Sequence, residues 1–328
     1  MVGQVKIGFI GCGGIASSHL SRLIKVPEAR VVAFTDVDET RVKQVKKQYP
    51  TLAECPAFKD YKDMLNNVEM DAVEILTPHT LHFQQAMDAL DEGLHALIEK
   101  PMVCTVKHAK QLIAKAEAVG NVVLVSYQRH YQSPFRYIRK LISSSGFGET
   151  QFISALQCQN WLEITRGTWR QDPALSGGGQ LNDSGSHLLD IILWTTGLRA
   201  EEVYALIDNL GTPVDVNSTL AVKLSNGAQA SISVVGNSPI WWEDITMWGT
   251  KGIILYRNGR LQHLPLGGEA FLEPVRFPPA PPDPDANFVN AILGKEANES
   301  PPICGLRVIE LTEAAWKSAE TGKPVKVT

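Results

Sequence analysis

Between Val5 and Val125, short apolar runs alternate with stretches in which apolar residues recur every three or four positions. VKIGFIG is followed by ASSHLSRLIKV, VVAFTD by ETRVKQVKKQY, AVEIL by HFQQAMDAL and HALIE by VKHAKQLIAKAEAVG, with VVLVS last. Strands that read as nearly unbroken apolar runs, each followed by an amphipathic helix, predict a parallel sheet covered on both faces, that is, a doubly wound α/β domain. After Tyr127 the pattern changes. One amphipathic helix, SPFRYIRKLISSS, leads into a glycine-rich segment, and then EVYALID, TLAVKLSNG, AQASISVVG, DITMWG, GIILYRNG and RLQHLPLG succeed one another. Turn residues such as Asn226-Gly227 and Asn258-Gly259 between these runs predict an antiparallel meander. The change of pattern divides the chain into residues 1–126 and 127–328, the second an α+β domain with a large, mainly antiparallel sheet. Proline lacks the amide donor and fixes φ, so FPPAPPDPD (Phe277 to Asp285) reads as a surface connector. ANFVNAILG and GLRVIELTEAAWKSAETG predict two closing helices, the second stopped by Gly322.

Composition narrows the partners. A chain of 328 residues is long enough for two buried cores. Its formal net charge of -4, with charges interspersed, presents no basic stripe for nucleic acid and points to a small molecule instead. Cys12, Cys55, Cys104, Cys158 and Cys304 lie far apart with no zinc spacing, as expected of free thiols in a reducing compartment and of a chain without a metal site. No run approaches the roughly 18 apolar residues of a membrane span, and no apolar leader stands apart at the N terminus, so a cytoplasmic location is expected.

Three places along the chain carry chemistry. GCGGIA, Gly11 to Ala16, follows an apolar strand and opens a helix. In such a loop Gly11 permits the tight turn, Gly13 lets backbone approach a pyrophosphate, and the helix start at Gly14 and Ile15 offers amides to the anion. Alone, this is also an ordinary strand-turn-helix cluster. Asp36, ending the strand VVAFTD, stands where a carboxylate can accept both ribose hydroxyls, and it disfavours the extra phosphate of NADP, so NAD is the expected cofactor. Arg41 is the nearby cation that could serve NADP. Further strand ends in ILTPHTLH and HALIEKP place Thr77, Pro78, His79 and His82, and then Glu99 and Lys100, along the edge where ligands bind in open α/β sheets. Each of these side chains also has a bland reading as a solvated or structural group.

The third place is GGGQLNDSGSHLLD, residues 177–190. On a helix, positions i, i+4 and i+7 lie within about 60° of one another, so Asp183, His187 and Asp190 are expected on one face of a largely apolar helix. Burying such groups requires either mutual pairing, with Asp183 as a cap, or a polar site in which Asp183 orients an imidazole that exchanges a proton. In the second reading the three glycines would let backbone approach a ligand.

GFIGCGGIA, EKP at Glu99 to Pro101, GGGQLNDSGSHLLDIILW and the closing GLRVIELTEAAWKSAETGKPV together resemble the glucose-fructose oxidoreductase and inositol dehydrogenase family, Gfo/Idh/MocA, over essentially the whole chain. The resemblance implies an N-terminal Rossmann domain, a C-terminal domain with a large open sheet, and NAD(P)-dependent oxidation of a sugar or cyclitol hydroxyl. It places the family's catalytic lysine, aspartate and histidine on Lys100, Asp183 and His187, with a cis bond before Pro101. WRQDP and SYQRHY resemble segments that border substrate, which adds Tyr127, Arg129, Trp169 and Arg170; Trp161 is a further expected contact, and Trp241 and Trp242 are more distant ones. His130 stands where many members have a second arginine, which bears on substrate identity. The family also contains NAD-dependent glycoside hydrolases and non-catalytic regulators, and the resemblance implies a homodimer or homotetramer.

Overall fold

The computed structural model describes residues 3–144, 146–279 and 281–328. From the N terminus run β1 (Val5–Ile10), α1 (Gly14–Leu23), β2 (Ala29–Thr35), α2 (Glu39–Gln48), β3 (Ala57–Phe58), α3 (Tyr61–Asn67), β4 (Ala72–Ile75), α4 (His82–Asp91), β5 (His95–Ile98), α5 (Val106–Val119) and β6 (Val123–Val125). Then come α6 (Ser133–Ser143), β7 (Thr150–Cys158), α7 (Trp161–Ile164), α8 (Pro173–Ser176), α9 (Gly185–Thr196) and six strands. These are β8 (Ala200–Asp208), β9 (Asn217–Leu224), β10 (Gln229–Val235), β11 (Trp242–Gly249), β12 (Gly252–Arg257) and β13 (Arg260–Pro265). α10 (Pro284–Ile292), α11 (Pro302–Thr321) and β14 (Val325–Lys326) close the chain.

The chain forms two compact units. The first comprises Met1–Val103, Lys107–Gln128 and Pro281–Ile303. Its six strands are parallel in the order β3-β2-β1-β4-β5-β6, the doubly wound arrangement that the alternating pattern predicts. The core beneath α1 is built from Ile7 and Phe9 of β1 with Ala16, Leu20 and Leu23, and α10 completes it with Phe288 and Val289. α10 begins within the proline-rich stretch: Pro284 takes the first turn, where its missing amide costs nothing, and Asp283 caps the helix through the Ala286 amide at 2.8 Å. Of the expected connector, Ala280 lies outside the described residues.

The second unit comprises Cys104–Val106, Arg129–Ala280 and Cys304–Thr328. Its eight-stranded sheet has the order β13-β12-β11-β7-β10-β9-β8-β14, antiparallel throughout except that β10 and β7 run parallel. β8–β9–β10 and β11–β12–β13 each run as a meander, but β10 and β11 do not pair, so the single continuous meander that the sequence predicts is split in two by β7. β7 was not anticipated, although it lies at the centre of the sheet between β10 and β11. Strict alternation in β9, buried at Ser218, Leu220, Val222 and Leu224, leaves one face of the sheet packed and the other outward.

Candidate functional site

In the first unit, β1 delivers the chain to Gly11, whose φ of +99° places it in the left-handed half of backbone space. A Cβ there would lie 2.8 Å from the carbonyl oxygen of Leu76, so only glycine lets the turn pass so close to the end of β4. Gly13 is the N-cap of α1; among the described residues no side chain caps that helix and nothing stands within 4 Å of where a Gly14 Cβ would be. Open space before uncapped amides at Gly14 and Ile15 fits a pyrophosphate. Asp36 is buried, and its carboxylate accepts the Cys12 amide at 2.8 Å and the Asp38 amide at 2.9 Å, which fixes it against the glycine turn. Arg41 is half exposed and sits 3.9 Å from Asp36 and 3.6 Å from Asp38, a cation already committed to two acids.

The same sheet edge carries the turns after β4 and β5. His79 is buried beside His82, ring centroids 5.9 Å apart. His82 is fully buried, with Nδ1 2.9 Å from the Pro101 carbonyl and Nε2 2.9 Å from the Thr77 carbonyl. Both ring nitrogens face backbone carbonyls, so His82 sits between the two turns, and with its pKa lowered by burial the neutral ring donates to one of them. Thr77 donates its hydroxyl to Gln85 at 2.6 Å, and Pro78 follows in extended backbone. The Lys100-Pro101 peptide is cis. Glu99, buried, accepts the Lys100 amide at 3.1 Å, and Lys100 is partly exposed. Tyr127, beyond β6, is 1 % exposed.

In the second unit the 177–190 stretch departs from expectation. α9 starts at Gly185 with Ser184 as its N-cap, so Asp183 lies in the preceding turn and does not share a helix face with His187 and Asp190. Asp183 and Asp190 have different partners. Asp183, 5 % exposed, accepts the Trp161 indole N–H at 2.8 Å and the Arg170 Nε at 3.0 Å, and the Arg170 guanidinium lies 4.5 Å from the centre of the Trp169 ring. Four predicted residues, Asp183, Trp161, Trp169 and Arg170, are thus brought together. Asp190 turns to His130 at 2.8 Å; both are buried, and the imidazole stacks on Trp194 at 4.2 Å. His187 is half-buried. Arg129 is ion-paired with Glu243 and lies 5.5 Å over the Phe135 ring. Trp241 and Trp242 are half exposed at the start of β11.

The glycines of this stretch serve the chain itself. A Cβ on Gly179 would fall within 2.7 Å of three backbone atoms of Asp215, and the buried Asp215 carboxylate holds the amides of Gly179 and Leu181 and the Trp316 indole. The expected approach of backbone to a ligand is therefore an approach to the segment before β9. Burial raises the pKa of Asp215 against the pull of these donors. Asp215 and Glu243, and the pairing of Asp190 with His130 though both were named, escaped sequence reading because each depends on a partner 36 or more residues away.

Residues 5–127 match the family described as "Oxidoreductase family, NAD-binding Rossmann fold", and residues 135–255 match the "GFO/IDH/MocA C-terminal domain". The chain is 25% identical over 246 residues to 1-carboxy-3-chloro-3,4-dihydroxycyclo hexa-1,5-diene dehydrogenase of Comamonas testosteroni, covering 74% of this chain and 61% of that protein. It is 27% identical over 205 residues to inositol 2-dehydrogenase of Ralstonia nicotianae, covering 61% of this chain and 58% of that protein. Each alignment thus spans less than two thirds of the relative. Among solved structures, the WlbA dehydrogenase of Bordetella pertussis, in complex with NADH and UDP-GlcNAcA, superposes with a TM-score of 0.88 over 99% of both chains at 23% identity, which shows the shared fold.

Proposed function

We infer a function from the premise that this chain belongs to the Gfo/Idh/MocA family of oxidoreductases, whose first unit is an NAD-binding Rossmann domain. We propose that it oxidises a hydroxyl of a sugar or cyclitol, or catalyses the reverse reduction, with NAD preferred over NADP. One observation carries this reading: a single parallel sheet edge holds the glycine turn, Asp36 bonded to that turn's backbone, and the Glu99-Lys100-Pro101 turn. The relative named inositol 2-dehydrogenase supports a polyol substrate.

When bound, NAD supplies the hydride acceptor. Gly11, Gly13, Gly14 and Ile15 would hold its pyrophosphate and Asp36 its adenosine ribose, with Thr77, Pro78 and His79 bordering it. Oxidation of a hydroxyl also requires removal of its proton, which we assign to His187, a residue type suited to proton exchange near neutral pH. The Lys100 ammonium stabilises the oxygen as negative charge develops. Asp183, itself held by Trp161 and Arg170, has the part of orienting the base. Tyr127, Arg129, Trp161, Trp169 and Arg170 are assigned to hydroxyl contact and ring stacking. The outward sheet face, with Phe152, Tyr204, Leu206 and Trp242 exposed, is assigned to pairing of copies into a homodimer or homotetramer.

A panel of polyols and aldoses with NAD and NADP, read at the absorbance of reduced nicotinamide, tests the proposal. Reduction of NAD by at least one cyclitol or sugar is expected. Tight NADH binding with no turnover of any panel member would count against it, and release of an aglycone from a glycoside without net NADH would reassign the chain as a hydrolase. Asp36→Ala is expected to weaken NADH binding by about tenfold or more in a fluorescence titration, since a hydrogen bond to a charged group contributes about 1.5–3 kcal/mol. The same change should narrow the preference over NADPH, and an unchanged ratio of the two affinities would remove Asp36 from the ribose site.

A further inference from the structure

The first unit buries a cluster of ionisable groups that the proposed chemistry does not use. His19 on α1, Glu74 in β4 and Asp285 on α10 are each 0 % exposed. His19 Nδ1 lies 2.7 Å from Asp285 Oδ1 and 3.4 Å from Glu74 Oε2, and its Nε2 lies 3.0 Å from Glu99 Oε1. The Arg22 Nε donates to the second Asp285 oxygen, and the second Glu99 oxygen accepts the Lys100 amide at 3.1 Å. A continuous line of hydrogen bonds therefore runs from Arg22 through Asp285, His19 and Glu99 to the backbone of Lys100. Carboxylates accept on both sides of the ring, so both ring nitrogens carry protons and His19 is an imidazolium.

Among the described residues, neither Glu74 oxygen has a hydrogen-bond partner. An ionised, fully buried carboxylate so placed would be costly, and the cluster would then hold three carboxylates, Glu74, Glu99 and Asp285, against two cations, His19 and Arg22. One proton on Glu74 restores neutrality. A divalent ion could do the same by displacing protons from His19 and Glu74, but ligand bonds of about 2.0–2.2 Å hold tetrahedral ligand atoms further apart than the 2.7 Å between His19 and Asp285. Distance favours the proton.

We propose that Asp285, His19 and Glu99 form a buried charged relay that positions the Lys100-Pro101 turn, and that Glu74 stores the proton which keeps this relay neutral. His19 and Glu74 are positioning residues. The proposal rests on the reading of the Lys100 turn as part of the NAD site.

The ionisation tendencies agree with this geometry. Burial, followed by the charge of Asp285, raises Glu74 to about 8. Burial alone would lower His19, but Asp285, Glu99 and Glu74 together raise it to about 10. Burial likewise opposes charge on Glu99, yet the bond and charge from His19 hold it well below the usual carboxylate range. The other charges bearing on the cluster are Arg22, Lys100 and Asp283, the N-cap of α10. Both upward shifts have the same sign: the folded unit retains protons that the unfolded chain releases. Stability is full below the unfolded values of 4.5 and 6.5 and is lost as pH rises through about 8 for Glu74 and about 10 for His19.

NADH binding and thermal midpoint should be measured from pH 6.5 to 9.5 on the full chain, for wild type, Glu74→Gln and His19→Asn. Wild-type affinity is expected to fall by about tenfold across this range, a modest coupling by allosteric standards, while Glu74→Gln holds within about threefold and melts higher than wild type at pH 9. His19→Asn is expected to lose about tenfold in affinity already at pH 7. Superimposable pH profiles for wild type and Glu74→Gln would overturn the proposal whether or not His19→Asn folds. So would a folded His19→Asn with wild-type affinity, or a stoichiometric divalent metal in purified wild type that Glu74→Gln lacks. If wild type binds NADH and these results fail, the relay alone is wrong; if wild type binds no NADH, the proposed function falls with it.

Discussion

Lys100→Met is expected to lower kcat by about two to three orders of magnitude while NADH affinity stays within about threefold. Methionine keeps the unbranched stem and approximate volume of lysine but removes the charge and all three donors. The proposed task of Lys100 is to meet negative charge that exists only as the hydroxyl proton leaves, and losing one such preorganised donor costs about 2.7–4 kcal/mol. At about 1.36 kcal/mol per decade this sets the size of the loss. The loss should appear in kcat with little change in KM, because an interaction made only in the transition state does not bind ground-state substrate. Cofactor affinity survives because it is assigned to Asp36, to the open amides after Gly13 and to the backbone of the Lys100-Pro101 turn, all of which a side-chain substitution leaves in place. Lys100→Arg is a useful companion: it keeps the charge but spreads it over a planar fork, so only partial recovery is expected. Steady-state kinetics on the best substrate of the panel, with NADH titration in parallel, provides the check. Wild-type turnover in Lys100→Met would remove Lys100 from the chemistry, whatever the family resemblance.

The parts of this site that sequence makes visible are those written locally. β1, the turn at Gly11 and Asp36 lie within 32 residues, and the parallel sheet declares itself through apolar runs such as HALI and VLV that are buried on both faces. The antiparallel unit was legible where strands alternate cleanly, as in β9, and illegible in β7, where Ser154, Ala155 and Gln157 give neither β-branched bulk nor a clear period. Placing Asp183 on the helix failed for a definite reason. Periodicity sets which residues would share a face but not where a helix begins, and the backbone from Gly179 to Ser184 is engaged in turns, held by Asp215, before α9 starts. The glycines there read as ligand-facing because nothing local reveals that Asp215 arrives 36 residues later. Glu74 was a missed signal: an acid in the middle of the four-residue strand AVEI is out of place in a dry core and calls for a partner. The groups around it could not be named, since His19, 3.4 Å away, comes from α1 and Asp285, on the same His19 nitrogen, is 266 residues from His19.

His187→Asn should produce the second large effect, a fall in kcat/KM of about 10²–10⁴, the usual contribution of a positioned general base. Asparagine can still accept a hydrogen bond from a hydroxyl but cannot take up its proton. The buried Asp190–His130 pair is independent of the change, and α9 remains anchored by Leu188, Leu189, Ile191 and Ile192, so the fold should persist. A pH profile distinguishes loss of a base from loss of a contact. In wild type the base must be unprotonated to act, so in the oxidative direction kcat/KM should rise with pH at a slope of one and then level off once the base is fully deprotonated. In His187→Asn that acid limb should vanish, leaving a low rate that is nearly flat across the same range or rises only with hydroxide. Asp183→Asn provides the contrast, since the amide oxygen can still accept the Trp161 indole but the charge opposite Arg170 is gone. A smaller loss with the acid limb displaced is expected there, because an orienting carboxylate stabilises the protonated base and its removal makes that base weaker. If the acid limb survives unchanged in His187→Asn, the proton goes elsewhere and the assignment of the base is wrong even if the chain is a dehydrogenase.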